Sequence, residues 1–318
     1  MSAKSASPAE RRFVRTRTDY GSAFWSGITL LATSFILVIL VIIVGNIVIN
    51  GISGLSWRFV STIPEKDFFE PHSAAVLPMI IGTTIRVLVM TVFVIPIGVI
   101  TAVYLTEYAR SGSAYTRIIR AAINNLAGVP SIVFGLFGVG FFINFFGKNI
   151  DQFTGAASPE FGKPTVLWAS LTLAVMTLPV VIVATEEALK AIAPGLREAS
   201  LAMGATKLQT IVKIVVPNAL PGIMTGAILA ISRAAGEVAP ILFTGAAYFM
   251  ADLPTHLSDQ FMDLGYHVFV LSTQSPDIEK TRPILYATVL VLLLLTFTLN
   301  AFAIIARARM RRAMRAGH

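Results

Sequence analysis

Long apolar stretches separated by short polar segments dominate the hydrophobic pattern of this chain. No charged residue occurs from Phe24 to Trp57. This run is longer than the ~20 residues that a helix needs to cross a bilayer, and it is too long for a cleaved signal peptide. Five further apolar stretches cover about 74–106, 121–147, 164–185, 218–250 and 283–306. The pattern therefore predicts an all-α membrane protein with six transmembrane helices.

The polar segments predict how the chain is organised around these helices. Residues 1–23 form a basic tail, 24–57 the first transmembrane helix, and 74–306 a core of five helices. A polar segment at 190–213 interrupts this core, and 307–318 form a second basic tail. The basic residues of the two tails include Arg11, Arg12, Arg15, Arg17, Arg307, Arg309, Arg311, Arg312 and Arg315.

Composition excludes several classes of protein. The chain is 55% hydrophobic and 13% charged, outside the range of soluble domains. It has no cysteine, so disulfides and thiolate metal sites are excluded. Three histidines fall in predicted outer loops, His72, His256 and His267, and they are too scattered to predict a metal site.

The excess of basic residues would suit nucleic acid, but their placement favours a membrane explanation. Of the 25 lysines and arginines, 17 lie in the two tails and in the loops 107–120 and 186–213, whereas the other three loops hold 6. Cytoplasmic loops carry such an excess under the positive-inside rule. We therefore expect both termini and the 190–213 segment to be cytoplasmic, with lipid and not nucleic acid as the surroundings.

The cytoplasmic segment predicts two short helices joined by a hinge. Pro194 suits a first helical turn, and Gly204 suits the left-handed position that ends a helix. The residues from Thr206 to Gln209 fit the capping box that opens a second helix. Pro217 predicts a stop or kink where the membrane begins.

This segment resembles the "EAA" loop of ABC-importer permeases, which docks into the ATPase subunit. Five positions match at fixed spacing, and they are Glu198, Ala199, Gly204, Ile214 and Pro217. Ser200 stands for the usual second alanine, and Val216 for the usual leucine. The resemblance implies that these positions, with Arg197, couple the chain to an ATPase. Lys207 is a further candidate contact, although solvated loop charges explain Arg197 and Lys207 nearly as well.

The fifth apolar stretch carries the charges most suggestive of function. Small residues recur every four positions, a stripe that allows another helix to approach closely; they are Gly222, Gly226, Ala230 and Ala234. Arg233 and Glu237 lie one turn apart beside this stripe. An arginine at mid-bilayer costs about 2.5–3.5 kcal/mol on insertion scales, so Arg233 is expected to face protein or water.

Two interpretations of this pair remain open. In the first, Arg233 binds an anion in a translocation path, because a guanidinium matches oxyanions with two parallel donors, and Glu237 neutralises it when the path is empty. In the second, the two residues form a purely structural ion pair. Pro240 is expected to free the Gly236 carbonyl and to make a hinge beside the pair.

The same stretch resembles the "RAxGETAP" signature of phosphate-specific transport (Pst) permeases. It reads Arg233-Ala234-Ala235-Gly236-Glu237-Val238-Ala239-Pro240, with Val238 where threonine is usual. Further matching segments are Gly82-Thr83-Thr84, Tyr104-Leu105-Thr106-Glu107-Tyr108, the 125–138 segment, and Thr185-Glu186-Glu187-Ala188-Leu189. The last segment and the Ala-Pro of the signature point to the A-type permeases. Ala184 stands where family members often carry a basic residue.

The resemblance, over roughly 60–310, implies a type I ABC importer permease fold and inorganic phosphate as substrate. It implies a C-type permease, two ATPase subunits and an extracytoplasmic phosphate-binding protein as partners. The sequence contains no G-x-x-x-x-G-K-[ST] loop, so ATP and Mg belong to a partner, and neither catalytic residues nor a cofactor is expected here. The expected substrate path comprises Arg233, Glu237 and Ser131, with hinges at Gly236, Pro240, Gly128 and Pro130.

Several alternatives stay open at this point. Gly128 and Pro130 predict either a packing kink or a gate in the third stretch. Arg86 is expected to reach the membrane interface, with a part in admitting the anion as the second possibility. The acidic loop 251–282 is long enough for local structure and for meeting the binding protein. A membrane-embedded enzyme or a scaffold would leave Arg233 unexplained, and sulfate, molybdate or phosphonate are alternative oxyanions.

Overall fold

The predicted all-α fold is confirmed in a computed structural model that describes residues 20–65, 68–110, 112–155, 158–250 and 252–316, with side chains to 312. Within these residues the only extended pairing is one bridge between Ala246 and Phe261. Most of the first basic tail, including Arg11, Arg12, Arg15 and Arg17, lies outside the described residues.

Thirteen α-helices and three π-helical segments make up this part of the chain. The α-helices are α1 (Tyr20–Ile52), α2 (Trp57–Ser61), α3 (Leu77–Val103), α4 (Ala114–Leu126), α5 (Ser131–Phe137), α6 (Lys148–Thr154), α7 (Val166–Lys190), α8 (Pro194–Ala202), α9 (Lys207–Thr210), α10 (Val216–Gly236), α11 (Ile241–Thr244), α12 (Leu264–Thr273) and α13 (Ile278–Ala316). The π-helical segments are Tyr104–Tyr108, Gly138–Gly147 and Ile211–Val215, and each continues an α-helix without a break.

Six helical spans in this part of the chain are long and apolar enough to cross a membrane. They are Tyr20–Ile52, Leu77–Tyr108, Ser131–Thr154, Val166–Lys190, Lys207–Gly236 and Ile278–Arg312. The expected number of spans is confirmed, but three expected boundaries differ by ten residues or more. The third span begins at Ser131 and not at 121, and the fifth runs from Lys207 to Gly236 and not from 218 to 250.

The chain forms two units, divided after Asn46. The first unit is the greater part of α1, whose large apolar side chains, such as Leu30, Phe35 and Val41, are exposed along its length. A helix that is apolar on every side needs a lipid or protein environment. The α1 helix is therefore built as a membrane anchor, in agreement with the sequence.

In the second unit, α7 forms the centre of the core. Its buried residues recur along its whole length, and α3 and α10 pack against it. Small residues allow the close approach, because a Cβ built on Gly98 of α3 would lie 2.6 Å from Cγ1 of Val181. Thr165 caps the start of α7 by accepting a hydrogen bond from the Trp168 amide (3.2 Å).

The loop before α13 has its own small core around α12, a helix too short to span a bilayer. Phe68 and His267 are buried there, with their ring centroids 5.0 Å apart. Burial lowers the pKa of His267 from 6.5 to about 3, so the folded chain holds this imidazole neutral.

Acid should therefore destabilise this loop through His267. The unfolded chain takes up the proton near pH 6.5 and the folded chain does not until about pH 3, so stability falls as the pH is lowered between these values. His267→Phe should weaken the loss of apparent Tm between pH 7 and pH 5, measured by tryptophan fluorescence of the purified protein. His256→Phe, at an exposed histidine, is the control. Equal pH dependence in the parent and His267→Phe would contradict the assignment.

Candidate functional site

The 190–213 segment forms a helix–glycine–helix projection made of α8, Gly204 and α9. Pro194 occupies the first turn of α8, and Gly204 has a φ of 85°, in the left-handed region. Thr206 and Gln209 form the expected capping box, with the Gln209 amide donating to Thr206 Oγ1 (3.2 Å) and the Thr206 amide donating to Gln209 Oε1 (2.9 Å). The local structure predicted for this segment is confirmed.

The projection exposes the positions that resemble a coupling loop. Glu198 and Ala199 are exposed on α8. The same projection carries four exposed large apolar side chains, which are Leu196, Leu201, Met203 and Leu208, with Met203 88% exposed. Several exposed apolar side chains on one short projection are consistent with a protein-binding surface.

Of the stop or kink expected at Pro217, the stop is wrong. Helical structure continues from α9 through the π-helical segment Ile211–Val215 into α10, as one span from Lys207 to Gly236. Pro217 lies in the first turn of α10 and has no amide N–H to donate to the preceding turn. The π-helical segment just before it already departs from the α-helical hydrogen-bond pattern, so the missing donor does not interrupt the helix. Ile214 lies within the π-helical turn and is partly buried. Helix α9 of the projection is therefore continuous with the rest of the fifth span.

Arg197 ties the projection to the end of the second span. Its guanidinium contacts Oε1 of Glu107 at 3.0 Å and donates to the carbonyls of Leu189 and Ile192, both at 2.8 Å. Lys207 donates to the Glu107 carbonyl, and its Nζ lies 4.9 Å from the centroid of the Tyr108 ring. Arg197 and Lys207 thus bind groups of this same chain, and these contacts were not predicted from the sequence.

A second ion-pair cluster lies behind the projection and was missed from the sequence. Nη1 of Arg120 on α4 contacts Oε2 of Glu186 at 2.5 Å, and Lys190 contacts the same oxygen at 3.1 Å. Arg120 also donates to the Leu105 carbonyl (3.0 Å). Arg120 therefore joins α4 to α7 through Glu186 and to the end of the second span through Leu105. The only signal in the sequence is an acidic residue at the end of an apolar stretch.

Arg233 and Glu237 form the expected ion pair. Nε of Arg233 lies 3.3 Å from Oε1 of Glu237, and the two side chains are 43% and 22% exposed within this chain. Arg233 lies in the last turn of α10, and Glu237 follows the helix in an extended conformation (φ −79°, ψ 130°). The pair thus leaves guanidinium donors accessible on the surface of a membrane-spanning helix.

The small-residue stripe packs α10 onto α7. A Cβ built on Gly226 would lie 2.6 Å from Cβ of Ala184, and one built on Gly222 would collide with Ala188. Ala230 and Ala234 continue the buried side of α10. Arg233 precedes Ala234 in the sequence, but its side chain is not buried on this side of α10. Close packing on one side and an exposed cation on the other are both features of the same helix.

The expected hinge within the fifth span is corrected by the structure. The helix ends at Gly236, and Pro240 precedes the separate helix α11, so Pro240 does not kink a continuous helix. Pro240 instead packs against α5, where a Cβ built on Gly135 would lie 3.1 Å from the Pro240 carbonyl oxygen. Proline and glycine here end a helix, because neither favours its continuation.

The third span is also broken more completely than expected. Helix α4 ends at Leu126, and α5 begins at Ser131 after a turn that contains Gly128 and Pro130. The segment is therefore a break between two helices and not a kink within one. In the part of the chain that the structure describes, Ser131 makes no hydrogen bond to Arg233 or Glu237, although α5 and the segment after Glu237 pack together.

The expected position of Arg86 at the membrane interface is wrong. Its side chain is fully buried, and Nη2 lies 2.8 Å from Oδ2 of Asp263, which is also fully buried. The contact with Asp263 was not predicted, because the acidic loop 251–282 was expected to have local structure and to meet the binding protein, with no contact to a membrane-spanning helix. The position of Asp263 directly before the apolar helix α12, typical of a helix cap, was the available signal.

Metal chemistry finds no support in this part of the chain. The residues that the structure describes contain no group of three His, Asp or Glu side chains that could hold a metal ion. The ion pair itself consists of the Arg233 guanidinium and the Glu237 carboxylate, and the guanidinium suits ion pairing with an anion.

Comparison with known sequences identifies a family. The sequence profile of "Binding-protein-dependent transport system inner membrane component" matches residues 94–315. The chain is 32% identical over 262 residues to the probable ABC transporter permease protein YqgI of Bacillus subtilis, covering 78% of this chain and 83% of that protein. It is 39% identical over 173 residues to the phosphate transport system permease protein PstA 1 of Mycobacterium tuberculosis, covering 54% and 52%. The chain thus spans about half the length of this mycobacterial relative.

Comparison with solved structures supports the fold. A chain of a bacterial alginate ABC transporter, solved with an alginate-bound periplasmic protein, superposes with a TM-score of 0.60. The superposition covers 91% of this chain and 96% of that chain at 14% identity. At this identity the likeness shows the fold alone.

Proposed function

The chain belongs to the family of binding-protein-dependent transport system inner membrane components, and we propose that it carries inorganic phosphate into the cytoplasm. It is a permease subunit of an ABC importer and a multi-pass protein of the bacterial cytoplasmic membrane. The ATPase of such importers is a separate subunit, so this chain is not itself an enzyme and binds no cofactor. Phosphate as the substrate is supported by the PstA relatives.

The observation that carries the proposal is the accessible Arg233 in a membrane-spanning helix. An arginine in this environment is costly and is expected to face protein or a water-filled path. Its ion pair with Glu237 leaves donors free, and a guanidinium binds the oxygens of phosphate with parallel hydrogen bonds. Arg233 would bind phosphate during passage, and Glu237 would neutralise it between transport events.

The partners follow from the division of labour in such importers. The chain would pair with a C-type permease, and the two permeases would bind two ATPase subunits that hold ATP and Mg. An extracytoplasmic phosphate-binding protein would deliver the anion. The distribution of basic residues supports cytoplasmic termini and a cytoplasmic projection, facing the compartment that contains ATP.

Coupling to the ATPase would act through the helix–glycine–helix projection. Exposed Glu198, Ala199 and Met203 would contact the ATPase. Arg197 would transmit its movement to the second span through Glu107, and the continuous helix from Lys207 would transmit it to Arg233. Closure of the ATPases would then tilt the spans together and change the side to which the path opens.

A reconstituted complex tests the substrate directly. The chain, a C-type permease and the ATPase are placed in liposomes, with the binding protein outside and ATP inside. Labelled phosphate should accumulate only with ATP, and a tenfold excess of sulfate, molybdate or phosphonate should leave uptake largely unchanged. Strong competition by one of these anions would indicate that this anion, and not phosphate, is the substrate. Absence of ATP-dependent uptake of any of them would contradict the proposal.

A further inference from the structure

The buried ion pair of Arg86 and Asp263 has no part in the function proposed so far. Its atoms are 2.8 Å apart and both side chains are fully buried. Burying two charges is costly unless their hydrogen bonds are well satisfied, so such a pair is weak support for stability alone. What the pair joins is therefore more informative than its strength.

Arg86 holds the end of the helix that carries Arg233. Its Nη1 donates to the Ala234 carbonyl at 2.9 Å, and Nη2 lies 3.5 Å from the Ala235 carbonyl. The last carbonyls of a helix lack partners within it, and a cation is favoured at this negative end of the helix dipole. Helix α10 ends one residue later, at Gly236. Arg86 thus fixes the backbone next to the Arg233–Glu237 pair.

Asp263 holds the start of α12. Its Oδ1 accepts hydrogen bonds from the amides of Gly265 (2.9 Å) and Tyr266 (3.2 Å). Its Oδ2 accepts from Oγ1 of Thr83 (2.9 Å) in addition to Arg86. The same carboxylate therefore caps α12 and fastens it to α3.

The two ends also touch directly. A Cβ built on Gly265 would lie 2.7 Å from Cγ2 of Val238, so the absence of a side chain at Gly265 lets α12 approach the residue after Glu237. Arg86 and Asp263 thus bring the loop helix α12 and the segment 234–238 into one packed unit.

We propose that Arg86 and Asp263 are positioning residues, which lock α12 to the end of α10 and thereby set the place of Arg233 and Glu237. The inference rests on the proposed function, in which that pair binds phosphate. The loop bearing α12 would lie on the extracytoplasmic side, where a binding protein docks. Pressure on α12 would therefore reach the anion-binding pair through Arg86.

The first test removes both charges together. In Arg86→Met/Asp263→Asn no unpaired charge stays buried, and the asparagine can still cap α12, whereas the link to the α10 carbonyls is lost. The assembled complex should form, and its maximal phosphate uptake should fall by about 100-fold, as for other small misplacements of a reacting group. The matched control neutralises an exposed pair 3.5 Å apart, with Arg58→Met/Glu65→Gln, and should change neither quantity.

The second test measures position without transport. The chain has no cysteine, so Val238→Cys and Gly265→Cys can be introduced as a single pair that reports whether α12 still packs on segment 234–238. Disulfide formation should be fast when the two cysteines are the only changes. It should be about tenfold slower when Arg86→Met/Asp263→Asn is added, because misaligned cysteines cannot meet the required geometry. This readout does not depend on phosphate, so it stays valid if Arg233 proves to be outside the path.

Arg86→Lys separates positioning from charge balance. Lysine keeps the charge beside Asp263 but has no planar fork to reach two carbonyls. We expect normal assembly, with uptake and cross-linking both reduced. Full rescue by lysine would overturn the proposal, as would parental uptake or parental cross-linking in the neutral double variant. If that variant does not assemble, the lysine variant alone decides between these outcomes.

Discussion

Arg233→Ala should reduce phosphate uptake by at least about 100-fold while the complex still assembles. The expected loss follows from two charge-assisted hydrogen bonds to phosphate, each contributing about 1.5–3 kcal/mol, of which alanine makes neither. The side chain is 43% exposed in this chain, so its removal should leave no cavity in the core. Uptake of labelled phosphate into proteoliposomes, normalised to the amount of assembled complex, measures the effect.

Two controls distinguish an anion-binding arginine from a structural ion pair. Arg282→Ala removes another partly exposed arginine, paired with Glu279 at 3.9 Å, and should not affect uptake. The exchange Arg233→Glu/Glu237→Arg restores an ion pair with the two charges reversed. If Arg233 binds phosphate, the exchanged pair fails to transport. Recovered uptake in the exchange variant, or normal uptake in Arg233→Ala, would make the pair structural.

The projection could be predicted in detail because its structure is local. Pro194, Gly204 and the capping box of Thr206 each act on the backbone within four residues, and all three signals agree. The number of spans was predictable for a similar reason, since apolar length alone decides whether a helix can cross a bilayer. Such features do not depend on which helices pack together.

The breaks in the third and fifth spans were harder to predict because proline and glycine give the same signal for a kink and for an ending. Helices α4 and α10 have already ended when the chain reaches Pro130 and Pro240, which precede the next helices, whereas helical structure continues through Pro217. Tertiary contacts make the difference. Arg86 binds the free carbonyls after Arg233 and so stabilises an ending there, while the π-helical turn before Pro217 accommodates continuation.

The partner of Arg86 could not be predicted from the sequence. The position of Asp263 before an apolar stretch is typical of a helix cap, but nothing in the sequence shows which of the five acidic residues in the loop 251–282 contacts Arg86. Only the packing of α12 against α3 selects one of them. The ion pair of Arg197 with Glu107 could not be predicted for the same reason, because it depends on how the end of the second span packs against α8.

Gly204→Val should disrupt coupling between the projection and the ATPase. The φ of 85° costs an L-residue about 1–2 kcal/mol, and a β-branched side chain more, so valine should turn α9 away from its position relative to α8. We expect co-purification of the ATPase, or ATPase-driven uptake, to fall by about tenfold or more, which corresponds to at least ~1.4 kcal/mol. A Cβ at this position meets no atom within 4 Å, so the effect would come from backbone conformation and not from a clash.

Gly204→Asn is the matched control, because asparagine tolerates the left-handed region and should retain both activities. Equal losses in the two variants would mean that a side chain at this surface position, and not the conformation of the turn, disturbs the contact with the ATPase. Full activity of Gly204→Val would show that this projection does not transmit the movement.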